Sequence, residues 1–116
     1  MTDKGCIFCK IASGEIPSQR VYEDETCVAF NDLEPQAPTH ILVIPRAHID
    51  SLDKATESDS AKLGHLLTSA AKIAREGGFA ETGYRVVINT NSDGGQTVFH
   101  LHVHLLAGRQ FTFPPG

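Results

Sequence analysis

The chain of 116 residues has no run of eighteen apolar residues, no excess of basic side chains and only three cysteines, and each shortage excludes something. Without a long apolar run there is no candidate membrane-crossing helix, and without a charged-then-apolar amino terminus no secretory leader is expected. A cytoplasmic protein without a membrane partner is the expectation. Ten Lys and Arg stand against fourteen Asp and Glu, for a formal net charge of −4, and no basic run is present. That balance speaks against nucleic acid as a partner, because phosphate neutralisation needs clustered cations. A single nucleotide remains open, since one or two local donors and backbone amides serve one phosphate. An odd number of cysteines argues against a disulfide framework. At this length one domain over residues 1–116 is expected, able to bury a core and small enough to gain from dimerisation.

What the chain does have is a run from Phe99 to Leu106 that holds His100, His102 and His104 at alternate positions. Alternation is a strand signal: side chains two apart share a face, with Cα atoms roughly 6.5–7 Å apart. The three imidazoles then look one way while Leu101, Val103 and Leu105 look into a core. On a helix the same spacing would scatter them. Imidazoles in a row can fix one another's tautomer and pKa, which suits either a nucleophile with charge-holding neighbours or a metal site. An exposed polar face built from histidine is the plain alternative.

Along the chain, Ile7, Phe8, Ile11 and Ile16 outline a short helix closed by Gly14 and Pro17. Val21–Glu23 and Cys27–Asn31 form a hairpin around an acidic turn, and Asp32 after it suits a turn or cap. The apolar run Thr39–Pro45 reads as a strand covered on both faces. Ser58-Asp59 caps a longer helix whose apolar residues run from Leu63 to Ala74 and which Gly77-Gly78 ends. His65 within it is a surface or packing residue. Tyr84–Asn89 is a further strand, expected beside His100–Ala107, and the Ser92-Asp93-Gly94-Gly95-Gln96 loop joins the two. Paired glycines there let backbone amides approach an anion, although an ordinary turn uses the same residues. Cys6-Ile7-Phe8-Cys9 has the spacing of a zinc or redox pair; with no strand before it, zinc is the better reading, and two buried thiols in a core the plain one.

The run His100–Leu106 matches the pattern His-apolar-His-apolar-His-apolar-apolar and so resembles the histidine triad superfamily. Pro38-Thr39-His40 with Leu42–Pro45, the Ser92–Gln96 loop, and Arg109-Gln110 with Pro114-Pro115-Gly116 resemble its nucleotide-binding branch over nearly the whole chain. The resemblance implies an α+β fold, with an antiparallel sheet of about five strands, one short and one long helix, and a two-fold homodimer using the long helix and a sheet edge. It implies His102 as nucleophile, His104 on the phosphate oxygens, and His40 against the middle imidazole, with His100 as a support or zinc ligand. Phe8, Ile11 and Ile16 would line a purine slot, Asp32 with Leu33 would meet the ribose, and Asn89, Gly95, Gln96 and Thr97 would meet the phosphate and leaving group. Thr97 stands where serine is common, and the added methyl narrows that space. Phe113 stands where the branch has tryptophan, which removes an N–H donor. Relatives carrying the cysteine pair complete a structural zinc site with counterparts of His48 and His100, so Cys6, Cys9, His48 and His100 are the expected ligands; catalysis itself needs no cofactor.

The function implied is hydrolysis of purine nucleoside 5′-phosphoramidates or adenylylated amines through a nucleotidyl-histidine. A dinucleoside polyphosphate or nucleotide-sugar hydrolase using the same histidine, and a weakly catalytic nucleotide-binding scaffold, are the alternatives. A metallohydrolase with all three histidines on one metal is disfavoured by the lack of a nearby carboxylate cluster.

Overall fold

A computed structural model describes residues 5–116. Helix α1 (Ile7–Ser13) is followed by strands β1 (Arg20–Glu23), β2 (Cys27–Asn31) and β3 (Thr39–Pro45). Two 3-10 turns, Leu52–Lys54 and Glu57–Asp59, lead into helix α2 (Ser60–Glu76). Strand β4 (Tyr84–Val87), the single helical turn α3 (Asn91–Gly94) and strand β5 (Val103–Ala107) complete the chain. The five strands form one antiparallel sheet in the order β1-β2-β3-β5-β4. The expected α+β architecture, with β4 beside β5, is therefore present.

Central β3 is buried from His40 to Pro45 because helices cover both faces of the sheet. Ile41 and Val43 pack with Val103, Leu105 and the α2 residues Leu66, Ala70 and Ile73. Leu42 and Ile44 point the other way and pack with Phe8, Ile11 and Ala12 of α1. Because side chains alternate along a strand, His40 on β3 and His104 on β5 share the α1 side, and His102 just before β5 continues that row.

Helix α1 has under two turns and is marginal by itself. Cys6 Sγ accepts the Cys9 N–H at its start, and Gly14 closes it with φ +85°, a conformation glycine adopts without strain. Arg20 donates to Ile11 O at 2.7 Å, which also accepts the Gly14 N–H, and Arg46 donates to Ala12 O at 2.9 Å, so two cations meet the carbonyl end of the helix. The β1–β2 turn is an Asx turn: Asp24 Oδ1 accepts the N–H groups of Thr26 and Cys27. Its other oxygen accepts from Tyr22 Oη at 2.7 Å and His65 Nε2 at 2.6 Å. Burial pushes the Asp24 carboxyl up, but these donors outweigh it and hold the group below the usual carboxylate range. His65 thus tethers α2 to the hairpin.

Several boundaries differ from the sequence expectation. Strand β5 starts at Val103 rather than His100, because the Leu101 N–H turns aside to Ile49 O at 2.7 Å. Strand β4 stops at Val87, and the glycine loop opens with α3. Helix α2 begins at Ser60 with Asp59 as its N-cap, as expected, but the Asp59 side chain serves the preceding turn, where it forms a reciprocal capping box with Thr56. Leu66 is fully buried between α2 and the sheet, so Leu66→Ala should destabilise the domain by about 2–5 kcal/mol in denaturant melts. A loss under about 1 kcal/mol would contradict this account of the core.

Candidate active site

Hydrogen bonds fix the tautomer of each ring on the α1 side. The Gln36 N–H donates to His40 Nδ1 at 3.0 Å, so the proton of the neutral ring sits on Nε2. That Nε2 lies 2.9 Å from His104 Nδ1, which accepts it, and 3.4 Å from Asp32 Oδ2. His104 must then carry its own proton on Nε2, and this buried N–H has no partner among the described residues. His102 is set the opposite way. Its Nδ1–H donates to His100 O at 2.8 Å, leaving the Nε2 lone pair without a protein partner among the described residues. The His102 and His104 rings are 4.9 Å apart at 62°, so the free lone pair and the unpaired N–H belong to neighbouring rings.

Burial keeps the supporting rings neutral. It depresses His104 to about 4, reinforced by His102 and His40. His40 is also lowered by burial, with Asp32 pulling it back. Phe8 walls the site, its ring meeting His102 edge-on at 5.1 Å and 90°. His102 itself is buried, at 7% exposure, while His104 is half-buried.

His100 belongs to a second cluster. Its Nε2–H donates to Pro45 O at 2.8 Å, and its Nδ1 lies 3.2 Å from Cys6 Sγ and 3.5 Å from Cys9 Sγ. His48 mirrors it, with Nε2 on Asp50 Oδ1 at 2.6 Å and Nδ1 3.3 Å from Cys9 Sγ. Four ligand atoms, two sulfurs and two Nδ1 lone pairs, thus lie within 4.8 Å of one another. Both outer nitrogens are held by oxygen acceptors, as is usual behind metal-bound imidazoles. A tetrahedron with ordinary zinc bond lengths has sulfur–nitrogen edges of about 3.5 Å, close to these spacings. The residues fit a Cys2His2 zinc ion.

The remaining candidates are placed unevenly. Ile11 is buried beside Phe8, and Ile16 packs partly buried against the same cluster. Asp32 follows β2 and accepts the Glu34 N–H on Oδ1. Leu33 is 97% exposed and Phe113 85% exposed, so both project to solvent from this chain. Asn89 is half-buried; Gly95 and Thr97 are exposed on the loop. Gln96 is buried, its amide accepting the Asn91 N–H and donating to Asp50 O and Val98 O, which makes it a brace for the loop. A polar cleft of about 500 Å³ opens at His48, Asp50 and Lys54, with no triad histidine in its lining.

One sequence expectation is corrected: the partner of His40 is His104, not the middle ring His102. In the β3–β5 register His40 stands opposite Leu106 and Leu42 opposite His104, so His104 is its diagonal neighbour. Sequence reasoning also missed the Gln36 amide, for which no side-chain signal exists, and Asp50, which His48-x-Asp50 spacing could have suggested.

The antiparallel sheet thus carries one free lone pair and one unpaired donor on neighbouring imidazoles. Residues 13–111 match the HIT domain, and the chain belongs to the HIT domain family. It is 56% identical over 110 residues to an uncharacterised HIT-like protein of Synechococcus elongatus, covering 95% of this chain and 96% of that one. It is 52% identical over 103 residues to the purine nucleoside phosphoramidase of Escherichia coli K12, covering 89% and 87%. The crystal structure of a HIT family hydrolase from Legionella pneumophila superposes with a TM-score of 0.94 at 53% identity, covering 96% of this chain and 99% of that one.

The lowered His104 pKa has a signed consequence. Between about 4 and the unfolded value of about 6.5 the unfolded state binds the extra proton, so stability rises with pH through that window and is fully present above it. Thermal melts from pH 4 to 7 should show a shallower slope in His104→Gln than in wild type; parallel slopes would contradict the burial account.

Proposed function

We propose that this chain hydrolyses purine nucleoside 5′-phosphoramidates and related adenylylated amines. The observation that carries the reading is the pairing of the His102 Nε2 lone pair with the buried, unpaired His104 Nε2–H. An unpaired buried donor costs about 1–3 kcal/mol, and a non-bridging phosphate oxygen would supply its missing acceptor. His102 Nε2 would attack the α-phosphorus and form a phosphorus–nitrogen bond as the bond from phosphorus to the amine breaks, the departing nitrogen taking its proton from solvent water. Water then cleaves the nucleotidyl-histidine. Neutral His104 serves as a hydrogen-bond donor, and Thr97 on the exposed loop would share the oxygens, since the Gly95 and Gln96 N–H groups already donate to Ser92 O and Asn91 O. The name of the E. coli relative supports the substrate class.

Phe8, Ile11 and Ile16 would form the base slot, and Asp32, one oxygen of which already faces His40, would take the ribose hydroxyls with Leu33 beside it. Asn89 and the loop braced by Gln96 would border the leaving group. Strand β4 is an edge strand with Tyr84 and Val86 partly exposed, and a homodimer formed there would give Phe113 a surface to cover. The cellular setting proposed is the cytoplasm. Among the described residues no helix is long and apolar enough to cross a membrane. Zinc held by Cys6, Cys9, His48 and His100 would be structural, joining α1 to the triad segment and leaving the reaction to the histidines.

His102→Ala should lower kcat/KM for a purine nucleoside phosphoramidate at least about 10⁴-fold while nucleotide still binds by calorimetry. Retained turnover would refute the assignment. Metal analysis of purified protein should find one zinc per chain, lost in Cys6→Ser; wild type purified without bound metal and unable to take it up would refute the zinc site.

A further inference from the structure

Resting on the functional reading above, we infer that Cys6, Cys9 and His48 are positioning residues for the nucleophile, acting through His100. The bond that sets the His102 tautomer is accepted by the carbonyl of His100, and that carbonyl lies outside the sheet, since β5 begins only at Val103. No strand ladder therefore fixes it. Its position depends on what holds residue 100 and its neighbours.

Three local tethers do so, and all of them converge on the segment that bears a metal ligand. The Leu101 N–H reaches Ile49 O at 2.7 Å, the Gln96 amide reaches Asp50 O at 2.8 Å, and the His100 ring, fully buried, reaches Pro45 O at 2.8 Å. The other ring nitrogen, His100 Nδ1, faces Cys6 Sγ and Cys9 Sγ. Thiols are weak donors, so without a cation this end of the ring is loosely held. Bound metal, with both cysteines as thiolates, would fix the ring and with it the carbonyl of the same residue.

The same cluster sets the wall of the site. Phe8 lies between the two cysteines in sequence, and its ring contacts both His100 at 5.9 Å and His102 at 5.1 Å. Helix α1 is too short to hold Phe8 by its own hydrogen bonds. Cys6 and Cys9 thus govern the nucleophile from two directions, through the carbonyl that orients it and through the ring that abuts it.

The test compares zinc-loaded wild type, chelator-stripped wild type and Cys9→Ser, each first shown to be folded by circular dichroism. Long-range proton–nitrogen spectra of histidine-labelled protein read the His102 tautomer without any substrate. The loaded protein should show His102 protonated on Nδ1 alone, and the two metal-free forms a mixture. In parallel, kcat for a purine nucleoside phosphoramidate should fall roughly 10- to 100-fold while KM moves less than about threefold. Should Cys9→Ser or the stripped protein fail to fold, Asp50→Asn, which loosens His48 but leaves all four ligands, replaces it and should give a smaller loss of kcat and partial tautomer mixing. An unchanged His102 spectrum in a folded metal-free form, or in Asp50→Asn, overturns the inference. If loaded wild type does not turn over the phosphoramidate, the functional reading falls, and the tautomer comparison alone decides the positioning role.

Discussion

The hydrogen bond from His102 Nδ1 to the carbonyl of His100, 2.8 Å long, is the constraint on which the site depends. A neutral imidazole has one proton and one lone pair, so fixing the proton inward commits the lone pair outward. The opposite commitment is made next door. A main-chain amide donates to His40, His40 donates to His104, and His104 is left with a buried N–H that has no partner among the described residues. Two rings of the same residue type thereby become an electron-pair donor and a hydrogen-bond donor by their partners alone. Burial, which lowers His104 to about 4, keeps that chain of single protons intact at neutral pH.

The fold supplies these partners economically. Covering both faces of the sheet places one row of strand residues in the α2 core and the other toward α1. The apolar residues Leu101, Val103 and Leu105 anchor this segment from behind, so His102 and His104 between them can face a short helix without giving up the core. The helix in turn is held at its carboxyl end by Arg20 and Arg46 and at its amino end by the cysteine cluster. Asp24, which ties the hairpin to α2 through His65, secures the strand next to β3.

Period-two alternation made the shared face of His102 and His104 legible in the sequence, because it follows from strand geometry and hydrophobic patterning, whereas His40 entered by resemblance alone. Register was not legible. Whether His40 meets His102 or His104 depends on which residue of β5 stands opposite it, and a shift of two residues leaves the apolar pattern unchanged. The early end of β5 was hidden for a related reason: the Leu101 N–H finds its acceptor at Ile49, more than fifty residues away in the chain. Leu33 and Phe113, read as ligand contacts by resemblance, sit 97% and 85% exposed, since a single chain offers them no surface to cover. The Cys-x-x-Cys pair was visible at once, but its two histidine partners became a geometric statement only when the segments holding residues 48 and 100 were brought together.

The central claim concerns one nitrogen atom. Rapid quenching of the protein with a nucleoside phosphoramidate, followed by peptide mapping and phosphorus NMR, identifies both the modified ring and the atom of attachment. The account predicts the nucleotide on His102 through Nε2. Attachment through Nδ1, or on His40, His100 or His104, would contradict it.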